Sequence, residues 1–195
     1  MALYADDRNR DRPIPRDAIM AGIAGAASGL IATIPMTAAM LIIQRLLPRR
    51  QQTKLEPRKI SDALLKRADL DDDLNGEQKR SIALASHFAY GTSVGMMYPA
   101  FEKRMPVEES LRGPAFGLGV WAASYLGWLP AAGILPPPQR RPAGRNLLLI
   151  AAHLIWGAAL HRTYKSITAG GNPKPRVGDS RESCAPSSAS SRVSA

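Results

Sequence analysis

Four stretches of this chain, residues 18–44, 81–101, 113–139 and 146–160, contain no Asp, Glu, Lys or Arg. An α-helix rises about 1.5 Å per residue, so roughly 20 residues span the ~30 Å hydrocarbon core of a bilayer. Three of the stretches meet that length outright, and the fourth does once its aromatic continuation to Tyr164 is included. Helices on the outside of a soluble bundle carry charge on their outer faces. These have none to offer. The chain is therefore read as an all-α polytopic membrane protein, a bundle of four transmembrane helices at about 18–44, 81–101, 113–135 and 146–164. Its mean hydropathy of −0.15 conceals this, because the polar residues are gathered in the tails and one loop.

Residues 1–17 form a charged arm. Arg8, Asp11, Arg12, Arg16 and Asp17 precede an apolar stretch too long for the core of a signal peptide, so that stretch stays as the first span. In the loop 45–80, Pro57 suits a first helical turn and Ile60, Leu64, Leu65 and Ala68 recur on one helical face. The spacing predicts a short amphipathic helix over about 58–69, lying on the membrane surface or packed on the bundle end. Asn75 with Gln78 three residues later forms a capping-box pattern that starts the second membrane helix early. The segment 165–195 is dominated by small, polar and basic residues and is expected to be disordered.

The net charge of +10 points first towards nucleic acid. Its placement argues otherwise, since Arg45, Arg49, Arg50, Lys54, Arg58 and Lys59 directly follow the first span and no base-reading motif accompanies them. Such a loop suits anionic lipid headgroups, each cation contributing about 1 kcal/mol near the surface. The expected partners are the lipid bilayer and those headgroups, not nucleic acid, and homo-oligomerisation is compatible with them. Lys and Arg balance between the two sides of the membrane, with only a slight tilt towards the long loop facing the cytoplasm. Cys184 is the only cysteine, which excludes an intramolecular disulfide and a Cys-based metal site.

The second and fourth spans echo each other. In both, a histidine (His87, His153) is followed three residues on by an aromatic, then by glycine, and eleven residues on by tyrosine (Tyr98, Tyr164). In the first and third spans, Gly22 precedes Pro35 by the interval at which Gly117 precedes Pro130. This pattern reads as two duplicated helical hairpins running parallel, with chance likeness among Gly- and Ala-rich helices as its rival. Gly25, Gly29, Gly91, Gly95 and Gly157 lie at four-residue spacings or beside the histidines, where small residues let helices approach closely. Pro35 and Pro130 deprive the carbonyls of Ile31 and Leu126 of their helical partners and predict kinks, with Thr33 and Thr37 placed to satisfy freed groups at the first.

His87, His153 and His161 are the candidate functional residues within the membrane, because ionisable groups there are costly. Their leading reading is hydrogen-bonded packing. The alternatives are a proton relay in a small passive or proton-linked transport protein, and a bis-histidine haem or metal redox site. Two ligands are too few for a closed zinc site. No metal site and no cofactor is expected outside that last alternative. The run Asp71-x-Asp73-x-Asn75-Gly76 opens like a calcium loop but carries Ile82 where the bidentate acid belongs. No nucleophile elbow, phosphate loop or paired-His zinc helix is present. With no catalytic residues to name, the chain is read as a non-enzymatic structural or regulatory membrane component.

Residues 87–98, the run 117–130 (GLGVWAASYLGWLP), residues 152–157 and Leu55-x-Pro57-Arg58-Lys59-Ile60 together resemble the YagU-like family of uncharacterised bacterial inner-membrane proteins. The resemblance spans about 17–164. It implies a multi-pass protein of the bacterial inner membrane and carries over no catalytic residues.

Overall fold

The uncharged stretches become the long helices of a computed structural model that describes residues 16–51, 55–70 and 72–170. The order is α1 (Arg16–Leu46), α2 (Glu56–Arg67), α3 (Gly76–Glu102), α4 (Glu109–Ala122), α5 (Leu129–Ala131) and α6 (Ala143–Gly170). A π-helical turn, Ala123–Trp128, joins α4 to α5. Among the described residues there is no strand. Two helices, α1 and α6, are long and apolar enough to cross a membrane.

The ends of the elements follow their local chemistry. Asn75 Oδ1 accepts from the amides of Glu77 and Gln78, and Gln78 Oε1 accepts from the Asn75 amide, so α3 starts with a complete capping box. α2 begins at Glu56 with Pro57 in its first turn. It ends where Asp69 takes φ 54 and the Leu70 amide donates to the Leu65 carbonyl, a left-handed cap that usually takes Gly or Asn. α6 runs six residues past the span expected from composition. Lys165, held between Glu102 and Glu109, and Thr168, bonded to the Tyr164 carbonyl, continue the helix beyond Tyr164. α1 likewise starts inside the expected arm, at Arg16. The rest of that arm and residues 171–195 lie outside the described residues.

Prolines act differently in the two interrupted stretches. α1 is continuous through Pro35. Thr33 Oγ1 donates to the Gly29 carbonyl and Thr37 Oγ1 to the Thr33 carbonyl, so neither serves the Ile31 carbonyl. The third apolar stretch is broken instead of merely kinked. Gly127 leaves helical geometry at φ −100, ψ −106, and Pro130 falls in the first turn of α5. In place of the kink expected at Pro130, the chain is disrupted over the π turn before it.

Packing is decided by glycine. A Cβ on Gly25 would lie 2.5 Å from the Gly95 carbonyl oxygen, and one on Gly95 would lie 2.6 Å from that of Gly25. A Cβ on Gly29 would press into the Gly91 carbonyl oxygen, and one on Gly91 into Thr33 Oγ1. The second pair of helices repeats the device. Gly113 and Gly117 of α4 press their backbones on Gly157 and the His153 carbonyl of α6, and a Cβ on Gly113 would come within 2.6 Å of His161 Cβ. Close backbone approach of this kind requires the absence of a side chain. The bundle is therefore two glycine-sealed hairpins, α1 with α3 and α4 with α6, joined mainly along α1 and α6.

The echo between spans meets this geometry in part. Gly91 faces Gly29 and Thr33, and its counterpart Gly157 faces Gly113 and Gly117. That pairing puts Pro35 and Pro130 about three helical turns out of register, so their matching interval does not mark equivalent places. The counterparts Tyr98 and Tyr164 meet edge to face, their centroids 5.5 Å apart, in a core with Phe116 and Trp156.

Gly91→Val and Gly157→Val should each destabilise the protein by about 1–3 kcal/mol or more through overpacking. Gly119→Ala, which meets nothing within 4 Å, should be neutral or gain up to about 1 kcal/mol of helix propensity. Thermal unfolding of the purified protein in detergent measures all three.

Candidate functional site

Each hairpin is fixed internally, and α3 and α4 barely touch each other. Between them lies a cavity of about 240 Å³. The π turn carries Ser124, Tyr125 and Trp128 into its wall, α1 contributes Met36 and Met40, and α2 closes one end with Pro57, Ile60 and Leu64. The amphipathic helix therefore packs on the bundle end. Leu64, Tyr90 and Trp128 line the cavity and are also exposed, so it opens on the α3–α4 side. A hydrogen bond of 2.9 Å between the Tyr90 hydroxyl and Ser124 Oγ ties α3 to the π turn.

His87 and His153 both line this cavity. His87 Nε2 is buried and has no hydrogen-bond partner among the described residues. His153 is anchored: its Nδ1–H donates to the Leu149 carbonyl at 2.7 Å, and its ring meets Tyr125 edge-on at 5.8 Å. The proton at Nδ1 leaves Nε2 as the lone-pair nitrogen. His161 is elsewhere. Its Nδ1 shares a 2.5 Å hydrogen bond with the Tyr98 hydroxyl inside the aromatic core. Of the three histidines, the fold brings two to one chamber and sets the third apart, against Tyr98. Among the described residues no group of three or more His, Cys, Asp or Glu stands where it could hold a metal.

A second set of residues lies behind the cavity wall. Glu56, at the start of α2, is buried against Arg145 of α6, with Nη2–Oε distances of 2.6 and 2.8 Å. Lys59 approaches the same carboxylate at 3.6 Å. Burial holds Lys59 below the ordinary lysine value, the nearby Arg145 and Arg141 adding to that while Glu56 opposes it. Arg141 stacks over the Tyr125 ring, 5.3 Å from its centroid, and burial likewise depresses its pKa. Sequence reasoning missed this group. Glu56 is the only acid in the basic run from Arg45 to Lys59, a signal of sorts, but its partner lies in another loop and no periodicity connects them.

At the other end of the bundle, Lys165 joins Glu109 at 2.7 Å and Glu102 at 3.0 Å. The hydrogen bond to Lys165 is the main reason Glu109 sits below the usual carboxylate range, and Glu109 in turn raises Lys165.

Residues 44–162 match the family described as a protein of unknown function, DUF1440. The matched segment runs from the last turn of α1 into α6 and includes the cavity's π turn and both its histidines. Comparison with curated proteins and with solved structures gives no match. The chain belongs to the DUF1440 family.

Glu56→Ala should destabilise the protein by about 3–5 kcal/mol, because it leaves Arg145 buried beside an empty place. Glu56→Ala with Arg145→Met should recover part of that loss; thermal unfolding reads both. A depressed carboxylate contributes stability that is full above its ordinary pKa and is lost as pH falls through the depressed value. A raised lysine contributes below its ordinary pKa and loses that contribution as pH rises through the raised one. Hydrogen-exchange protection of residues 165–170 should therefore fall at both ends of the pH range. Glu109→Gln should weaken the acid limb.

Proposed function

We propose that this member of the DUF1440 family crosses the bilayer four times and holds a small, mostly apolar ligand in the cavity between α3 and α4, as a non-enzymatic membrane component. Support for four crossings comes from the outer faces. Ile23, Ile34 and Ile42 on α1, Leu84 and Met97 on α3, Leu111, Leu118 and Leu126 on α4 and its π turn, and Leu147 and Ile155 on α6 are all exposed. A water-soluble monomer rarely exposes so continuous an apolar surface. α3 and the α4–α5 run are the two elements added to α1 and α6 by this reading. The first begins with Glu77, Lys79 and Arg80, and the second is broken by the π turn. The resemblance to YagU-like proteins supports the bacterial inner membrane as the location we propose.

The observation that carries the ligand is His87 Nε2. A buried nitrogen without a partner costs about 1–3 kcal/mol, and a ligand with one polar group among apolar atoms would offset that cost. The alternative reading, ligation of a haem iron or transition metal by two imidazoles, is favoured by one feature. His153 has the backbone-tethered Nδ1 typical of metal-bound histidines, and it faces the same chamber as His87.

Native mass spectrometry of detergent-purified protein should show a bound small molecule that disappears in Val94→Trp, which fills the cavity, and weakens about tenfold in His87→Phe. Wild-type protein without an adduct, or one that survives Val94→Trp, would sink the ligand reading. A Soret band or stoichiometric metal lost on His87→Ala or His153→Ala would establish the metal reading in its place. For topology, cysteines at Met97 and Leu118 in a Cys184→Ser background should resist a membrane-impermeant maleimide in intact membranes. Labelling there would refute four crossings.

A further inference from the structure

A second chamber, of about 260 Å³, lies where α2 and α6 both begin. Its wall holds Arg50, Lys59, Arg140, Arg141 and Arg145, and a single carboxylate, Glu56. That carboxylate is already engaged by Arg145 and Lys59. Among the described residues the wall holds no further acid to compensate Arg50, Arg140 and Arg141. Charge of one sign gathered in a concave, partly desolvated place is expensive unless an anion completes it.

Arg141 shows how the place is built. Its Nε–H donates to the Pro136 carbonyl at 2.9 Å, and the face of its guanidinium rests on Tyr125. Those two contacts fix the plane of the group and consume its Nε donor and one π face. Its Nη1 and Nη2 are buried, and neither has a hydrogen-bond partner among the described residues. What is left is a pre-oriented fork of N–H donors, the geometry that matches two oxygens of a phosphate. The first turn of α6, a 28-residue helix opening at Ala143 between Arg141 and Arg145, adds the positive end of its dipole on the same side.

We infer that this chamber is a binding site for a phosphate group, gripped by the Arg141 fork with Arg140, Lys59 and Arg50 around it. Two sources carry that group: an anionic phospholipid headgroup, and phosphate free in solution. Arg141 of the basic chamber lies over the ring of Tyr125, which lines the apolar cavity, so the two chambers are close neighbours. A lipid can set its phosphate at Arg141 with an alkyl chain alongside, whereas free phosphate uses the basic chamber alone. The site does not depend on what the apolar cavity holds.

The test uses the full-length protein in phosphatidylcholine nanodiscs. One arm titrates inorganic phosphate by calorimetry. The other mixes in phosphatidylglycerol and counts the lipid retained per protein by native mass spectrometry. Binding in either arm is expected, and it should weaken about tenfold or more in Arg141→Gln. Arg141→Lys, which keeps the charge and loses the fork, should fall between. Arg104→Gln, at the opposite end of α3, should match the wild type. Phosphate binding alone identifies the free ion, and phosphatidylglycerol retention alone identifies the headgroup. If Arg141→Gln does not fold, Arg140→Gln and Lys59→Gln should each weaken binding several-fold. No binding in both arms, or binding that these substitutions leave intact, overturns the inference.

Discussion

Backbone pressed against backbone at glycine is the contact on which the rest of this structure depends. Gly25 and Gly29 meet Gly91 and Gly95, and Gly113 and Gly117 meet Gly157. On the proposed membrane-spanning reading there is no hydrophobic drive to bring the helices together, because lipid is as apolar as leucine. Close packing supplies the attraction instead, and glycine allows the closest approach. Each hairpin is thereby drawn together along its own seam.

The cavity follows from where those seams are. With α3 held on α1, and α4 held on α6, the α3–α4 side has no seam of its own. The π turn lies on that side and places Ser124 and Tyr125 in the cavity wall. A hydrogen bond from Tyr90 to Ser124 spans the opening. The two histidines that the repeat pattern relates thus reach one chamber from different hairpins. His161 takes the position corresponding to Gly95 and fills space against Gly113 and Tyr98.

Charge is confined to the two ends. Glu56 and Arg145 lock α2 to the start of α6 at one end, and Lys165 clamps α3, α4 and α6 at the other. The two clamps differ in kind. The first is buried, so loss of either partner strands a charge in a poor solvent. The second is only partly buried: Glu102 is enclosed, while Lys165 and Glu109 reach solvent and are screened there.

The sequence by itself determined the helical class, the places of the apolar helices, the capping box at Asn75, the amphipathic helix and the small residues at the seams. These are local properties: hydrophobic length, period and cap chemistry are written within a few turns of chain. It also related His87 to His153, through the same spacing of histidine, aromatic, glycine and tyrosine in the two stretches. Only the tertiary structure decided which glycine meets which, that the third stretch breaks at a π turn, that Pro35 and Pro130 are not equivalent, and that His161 stands apart from the other two. Only it joined Glu56 to Arg145 and set the Arg141 fork on Tyr125. Those contacts link residues far apart in the chain, and their existence depends on helix register and rotation, which no periodicity in either segment specifies.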